Sequence, residues 1–176
     1  MMRMDFTAGF VATLTGISAC SASHVGPDAA ELNNIWTYYE VPKSTPRQLV
    51  LSFDRYCNNR KSSLAEDDQR LRADGFVPLS QSKGAQSYVA DNNLPAVAVS
   101  DRMCITHAKS RTGQTDAFQS YVARVFPEAK PLDPTSFGSR IEQAWQVSGS
   151  RILATQRGAD LGWYTYSLIL YQAEGA

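Results

Sequence analysis

The chain has 176 residues, 43% of them hydrophobic, which is enough to bury the core of one ordinary domain. Its 17 Lys and Arg residues equal its 17 Asp and Glu residues, so the formal net charge at pH 7 is zero. Because a general attraction to phosphate backbones or anionic membrane surfaces needs a net basic face, this balance argues against both. We therefore expect no nucleic-acid partner.

The first 20 residues carry a processing signal. A short start containing Arg3 is followed by an apolar stretch from Phe6 to Gly16 and then by Ile17-Ser18-Ala19-Cys20. The apolar stretch is shorter than the roughly 20 residues of a transmembrane helix, which is typical of a cleaved signal peptide. The four residues that end in Cys20 resemble the lipobox of bacterial lipoproteins, in which an aliphatic residue and two small residues precede an invariant cysteine.

The resemblance to bacterial lipoproteins implies lipid attachment at Cys20, with cleavage before it and acylation of the new amino terminus. Residues 1–19 are then the signal peptide, and residues 20–44 form a polar, lipid-attached tether. The protein is expected in the cell envelope, anchored to the membrane by its lipid and facing the periplasm. Ser21 in place of Asp after the cysteine favours the outer membrane if the cell is Gram-negative. Ordinary secretion and a cytoplasmic chain are the alternatives.

A single domain is predicted over residues 45–176, and it begins with a helix. Thr45 is a capping residue, Pro46 suits the first helical position, and Gln48 stands three residues after the cap. Val50, Phe53 and Cys57 then recur at roughly helical spacing, so Cys57 is expected to point inward.

The same helical region contains a second start and a clear end. The capping box Ser63-Leu64-Ala65-Glu66 predicts that the helix breaks or changes register near Asn58 and Asn59. Gly75 suits a left-handed residue that ends the helix, with Phe76 able to contact Leu71 in a Schellman arrangement.

The rest of the domain reads as strands around a second amphipathic helix that starts after Thr115 and stops at Pro127. The last strand has large residues on both faces, which predicts a central strand covered on both sides. Its aromatic residues Trp163, Tyr164 and Tyr166 are interpreted as core rather than as a ligand platform. We predict an α+β fold, an antiparallel sheet of five to six strands with two helices packed on it. The predicted strands are Gln86–Ala90, Ala96–Ser100, Met103–Lys109, Gln143–Val147, Arg151–Gln156 and Trp163–Tyr171.

The three cysteines divide into one lipid site and one pair. If Cys20 is acylated, Cys57 and Cys104 are an even pair in an oxidising compartment. Cys104 shares its strand face with Thr106 and Ala108, and such small residues suit a helix packed close above them. We predict a disulfide between Cys57 and Cys104, with two buried free thiols as the alternative.

No catalytic, cofactor-binding or metal site is predicted. The candidate metal ligands are His24, His107 and the two cysteines, but Cys104 and His107 stand three apart on a strand and leave opposite faces. The predicted function is a non-enzymatic binding or accessory module, with an envelope protein or the cell wall as partner. The alternative is a small envelope hydrolase or transferase that uses Ser80, Lys83 and His107.

Overall fold

The computed structural model describes residues 41–60, 63–79, 84–90, 93–111, 113–160 and 162–172. These residues form an α+β fold with one antiparallel sheet, whose strand order is β1-β2-β3-β4-β8-β7-β6-β5. The strands are β1 Val77–Pro78, β2 Gln86–Val89, β3 Ala96–Val99, β4 Met103–Ser110, β5 Lys130–Leu132, β6 Ile141–Ser148, β7 Arg151–Asp160 and β8 Trp163–Gln172.

The helices lie on the sheet face that carries Cys104, and they enclose the core against it. They are α1 Pro46–Phe53, α2 Leu64–Ala73 and α3 Gln114–Val125, with a π-helical segment Asp54–Asn58 directly after α1 and a 3₁₀ turn at Pro134–Phe137. Burying a large apolar side chain contributes roughly 1.5–3 kcal/mol, so this core is a major favourable contribution to folding. Its fully buried members include Leu49, Phe53, Leu71, Val97, Phe118, Leu153 and Leu168.

The predicted fold class and the antiparallel sheet are confirmed, but the predicted counts are wrong. The described residues contain eight strands rather than five to six, and three α-helices rather than two. The two extra strands, β1 and β5, have two and three residues and lie at the sheet edges, so they are too short to show alternation. The extra helix arises because the predicted break near Asn58 and Asn59 divides the first helical region into two helices, α1 and α2.

The predicted helix signals act as the sequence indicates. The backbone N–H of Gln48 donates to the Thr45 hydroxyl at 3.1 Å, and Ser63 and Glu66 form a complete capping box. At the end of α2, Gly75 has φ +85° and the Phe76 N–H donates to the Leu71 carbonyl at 3.0 Å, which is the Schellman pattern.

Strand β8 is central, as predicted, because it pairs with β4 on one side and β7 on the other. Its even-numbered side chains from Tyr166 to Leu170 face the helices. Its odd-numbered side chains Trp163, Ile169 and Tyr171 lie on the opposite face and are half-buried. The pairing of β8 with β4 places Cys104 directly opposite Leu170. Both side chains therefore lie on the sheet face that the helices cover.

Candidate functional site

Cys57 and Cys104 form a disulfide, as predicted. Their Cα atoms are 5.3 Å apart, inside the roughly 4.4–6.8 Å range of disulfides, and their exposed fractions are 0% and 1%. Cys57 belongs to the π-helical segment and Cys104 to β4, so the bond joins the helical layer to the sheet. Neither thiol is available as a nucleophile or a metal ligand.

Several predicted residues lie outside the described residues. These are the lipid-attachment residue Cys20, the tether residue His24, and the two polar residues of the hydrolase alternative, Ser80 and Lys83. Among the residues that the structure does describe, no three His, Cys, Asp or Glu side chains are grouped so that they could hold a metal ion.

His107 lies on the face opposite the disulfide and contacts Ser167, with Nδ1 2.7 Å from the serine Oγ. Burial lowers the pKa of His107 below its usual value, and the nearby Lys109 lowers it further. A neutral imidazole and a serine hydroxyl are the components of an activated nucleophile. The contact between His107 and Ser167 is thus compatible with two roles, a catalytic one and a structural one.

The surroundings of Ser167 favour a structural role for this contact. Ser167 is opposite His107 of β4 and Gln156 of β7, so the β8 backbone around it pairs on both sides. Acyl transfer needs backbone N–H groups aimed at a developing oxyanion, and N–H groups committed to a sheet ladder cannot supply them. Ser167 is also buried, which limits access for a substrate.

The aromatic residues of β8 do not form one platform. Tyr166 is in the core, where its ring meets Phe118 edge to face, whereas Tyr164 is 38% exposed. Trp163 lies on the opposite face, with the Lys43 ammonium 5.0 Å and the Arg111 guanidinium 4.6 Å from its ring centroid. The core interpretation therefore holds for Tyr166 and is wrong for Tyr164, and Trp163 binds two cations of its own chain.

A cleft of about 250 Å³ lies where the disulfide meets the end of the sheet. Three arginines line it, Arg60, Arg102 and Arg151, and we call it the arginine cleft. Arg60 follows the π-helical segment, Arg102 lies in the turn between β3 and β4, and Arg151 begins β7. The disulfide forms part of the wall.

Sheet register brings these distant residues together. Arg151 is directly opposite Gln172, and the Gln172 N–H donates to the Arg102 carbonyl at 2.8 Å. The ends of β4, β8 and β7 thus meet at one corner, with Cys104, Leu170 and Arg151 on the same face.

Arg60 and Arg151 are held by protein acceptors. Arg60 forms an ion pair with the fully buried Asp67 and donates from Nη1 to the Ser100 carbonyl at 2.6 Å. Arg151 donates from Nη2 to the carbonyl and Oδ1 of Asn58 at 3.3 and 3.2 Å. Both guanidinium groups are therefore positioned before any ligand arrives.

The arginine cleft was not predicted from the sequence. Arg60, Arg102 and Arg151 are separated by more than 40 residues from one another, and no local motif marks them. The sequence contains one relevant pattern: Arg102 and Cys104 are two residues apart, so their side chains lie on the same face of the sheet. This pattern indicates a cleft only when the strand order β4-β8-β7 is known.

No family model, curated protein or solved structure matches this chain. In the part of the chain that the structure describes, every helix is too short or too polar to cross a membrane.

Proposed function

We propose that this chain is a lipid-anchored protein of the bacterial cell envelope, whose folded domain is a non-enzymatic binding or accessory module. The observation that carries the proposal is the buried Cys57–Cys104 disulfide. Structural disulfides persist in oxidising compartments such as the periplasm and are rare in the cytosol. A bond that joins the helical layer to the sheet supports export of the chain.

The anchor accounts for the remaining cysteine. The chain has three cysteines, and two of them form the disulfide. Cys20 stands at the end of Ile17-Ser18-Ala19-Cys20, the position that bacterial lipoproteins acylate. Because stable anchoring takes more than one acyl chain, acylation of both the thiol and the new amino terminus would hold the domain at the membrane. Ser21 favours the outer membrane if the cell is Gram-negative.

A binding function is favoured over catalysis because the candidate nucleophiles are engaged in structural contacts. The disulfide consumes Cys57 and Cys104, and the His107–Ser167 contact lies in a strand whose backbone is paired on both sides. The arginine cleft instead offers fixed cationic donors, which bind anionic groups without a nucleophile. The proposed partner is a protein or cell-wall component of the envelope.

The anchor is tested by replacing Cys20 and following the protein in cell fractions. Wild-type protein should partition with membranes and carry a lipid mass, whereas Cys20→Ser should be released or stay an unprocessed precursor. Ser23→Ala, in the predicted tether, is the matched control and should behave as wild type. In a Gram-negative host, Ser21→Asp should move the protein from the outer to the inner membrane. Unchanged partitioning and mass in Cys20→Ser would overturn the proposal.

A further inference from the structure

We propose that the arginine cleft is a binding site for a carboxylate group on a ligand with a short aliphatic body. The inference rests on the proposed function that the domain is a binding module. It names the chemistry of the ligand and the side chains that recognise it: Arg60, Arg102 and Arg151, with Met103 and Leu170 as apolar lining residues.

The guanidinium groups provide the recognition. Arginine presents a planar fork of N–H donors that matches the two oxygens of a carboxylate. Arg151 already has one side of its fork fixed by Asn58, so binding orders few new torsions. Within the described part of the chain no carboxylate forms an ion pair with Arg151, which makes its charge the one that a ligand can neutralise.

The local charges favour an anionic group. Three arginines and Asp101 line the cleft, and Asp67 is paired with Arg60. Because Asp67 is also paired with Arg70, it does not cancel the charge of Arg60 alone, and the lining of the cleft is cationic. A carboxylate is attracted to these arginines and gives up less hydration on entering the cleft than a phosphate dianion does.

The apolar residues that line the cleft limit the chemical group that a ligand can carry next to its carboxylate. Leu170 and the Cys57–Cys104 disulfide line the cleft on the sheet face that carries Cys104, so the group next to the carboxylate is expected to be small and aliphatic. A peptide C-terminus with a small last residue and a short organic acid share this chemistry.

The test is a titration of the purified full chain with four probes. These are acetyl-alanyl-alanine with a free carboxylate, the same peptide as its C-terminal amide, propionate, and inorganic phosphate. The free peptide acid should bind and its amide should not. Propionate binding as tightly as the peptide identifies a small organic acid as the ligand class, whereas binding of the peptide alone identifies a peptide C-terminus.

Arg151→Gln should weaken binding of the carboxylate probe by at least about tenfold, because it removes a charged hydrogen-bond donor. Arg157→Gln is the matched control: it lies on the same strand, is paired with Glu142 outside the cleft, and should bind as wild type. If Arg151→Gln fails to fold, Arg102→Gln on the exposed turn gives the same test.

Three results would overturn the assignment: no binding of either carboxylate probe, tighter binding of phosphate, or unchanged affinity in a folded arginine variant. The titration uses purified protein, so it reports on the cleft wherever the chain resides in the cell. The Cys20→Ser fractionation reports on the anchor without any ligand, and the failure of one proposal is therefore distinguishable from the failure of the other.

Discussion

A single buried carboxylate, that of Asp67, organises the region next to the arginine cleft. It is fully buried and forms ion pairs with Arg60 and with Arg70, the latter at 3.0 Å. Arg70 in turn donates to the Tyr56 carbonyl at 3.2 Å. A buried charge is tolerated only when it is paired and hydrogen-bonded, so the start of α2 and the segment after the π-helix have to assemble together.

Three buried tyrosines each donate their hydroxyl to an aspartate. They are Tyr56 to Asp74 at 3.0 Å, Tyr88 to Asp68 at 2.8 Å and Tyr121 to Asp54 at 2.7 Å. Burial, together with the aspartate partner, raises the pKa of Tyr56 to about 12 and raises the pKa values of the other two as well. These pairs satisfy the polar tips of large rings that otherwise pack in the core.

His107 should make stability depend on mildly acidic pH. Because burial lowers its folded pKa below the unfolded value of about 6.5, the unfolded chain takes up a proton first as the pH falls. The free energy of unfolding should therefore decrease from about pH 7.5 toward about pH 5.5, and His107→Gln should make that decrease smaller. Urea unfolding at the two pH values measures both slopes.

The chain's only other histidine, His24, provides the control for this measurement. It lies in the predicted tether, so His24→Gln should leave the slope as in wild type. Equal slopes in wild type and His107→Gln would contradict the assignment of the acid sensitivity to His107.

At the scale of elements, the parts predictable from sequence are those whose signals are local. The caps at Thr45 and Ser63 and the end at Gly75 are each decided within a few residues, and all three form as predicted. The π-helical turn, marked by the bond from the Asn59 N–H to the Asp54 carbonyl, was not predictable, because apolar spacing cannot separate it from an α-turn.

In the candidate site, too, the feature with local signals could be predicted and the feature that depends on tertiary packing could not. The disulfide followed from two observations on single elements, the inward face of the first helix and the small-residue face of β4. The arginine cleft depends on how β4, β8 and β7 align after a long chain separation, and register of that kind is set by tertiary packing rather than by any one segment.

The capping box of α2 gives a prediction at this scale. In Ser63→Ala, the Glu66 backbone N–H loses its side-chain acceptor and Glu66 loses one of its two contacts with residue 63, so unfolding should become easier by about 1 kcal/mol. Urea denaturation with the slope held in common measures the change.

Ser120→Ala is the matched control for the cap. Ser120 is exposed within α3, where alanine is the better helix former, so this replacement should be neutral or slightly stabilising. If Ser63→Ala costs no more than Ser120→Ala, the capping box does not stabilise α2.

At the scale of the whole molecule, the Cys57–Cys104 disulfide cross-links the two layers of the fold. The helices pack on the face of the sheet that carries Cys104, and the disulfide fixes the π-helical segment to β4 at the same corner that forms the arginine cleft. Stability and the proposed binding site are thereby coupled, because separation of the layers would open the cleft.

The disulfide therefore gives a prediction about the stability of the whole domain. It closes a separation of 47 residues, and the chain-entropy argument for a loop of that length gives about 4 kcal/mol. The double variant Cys57→Ala/Cys104→Ala should lose about that much free energy of unfolding, and reductant should destabilise wild type but not the variant. Mass spectrometry of non-reduced protein from the envelope should find the two cysteines linked. Two free thiols in that protein would contradict the disulfide and remove the main support for export. A wild-type protein whose stability does not change with reductant would show that the bond does not stabilise the fold.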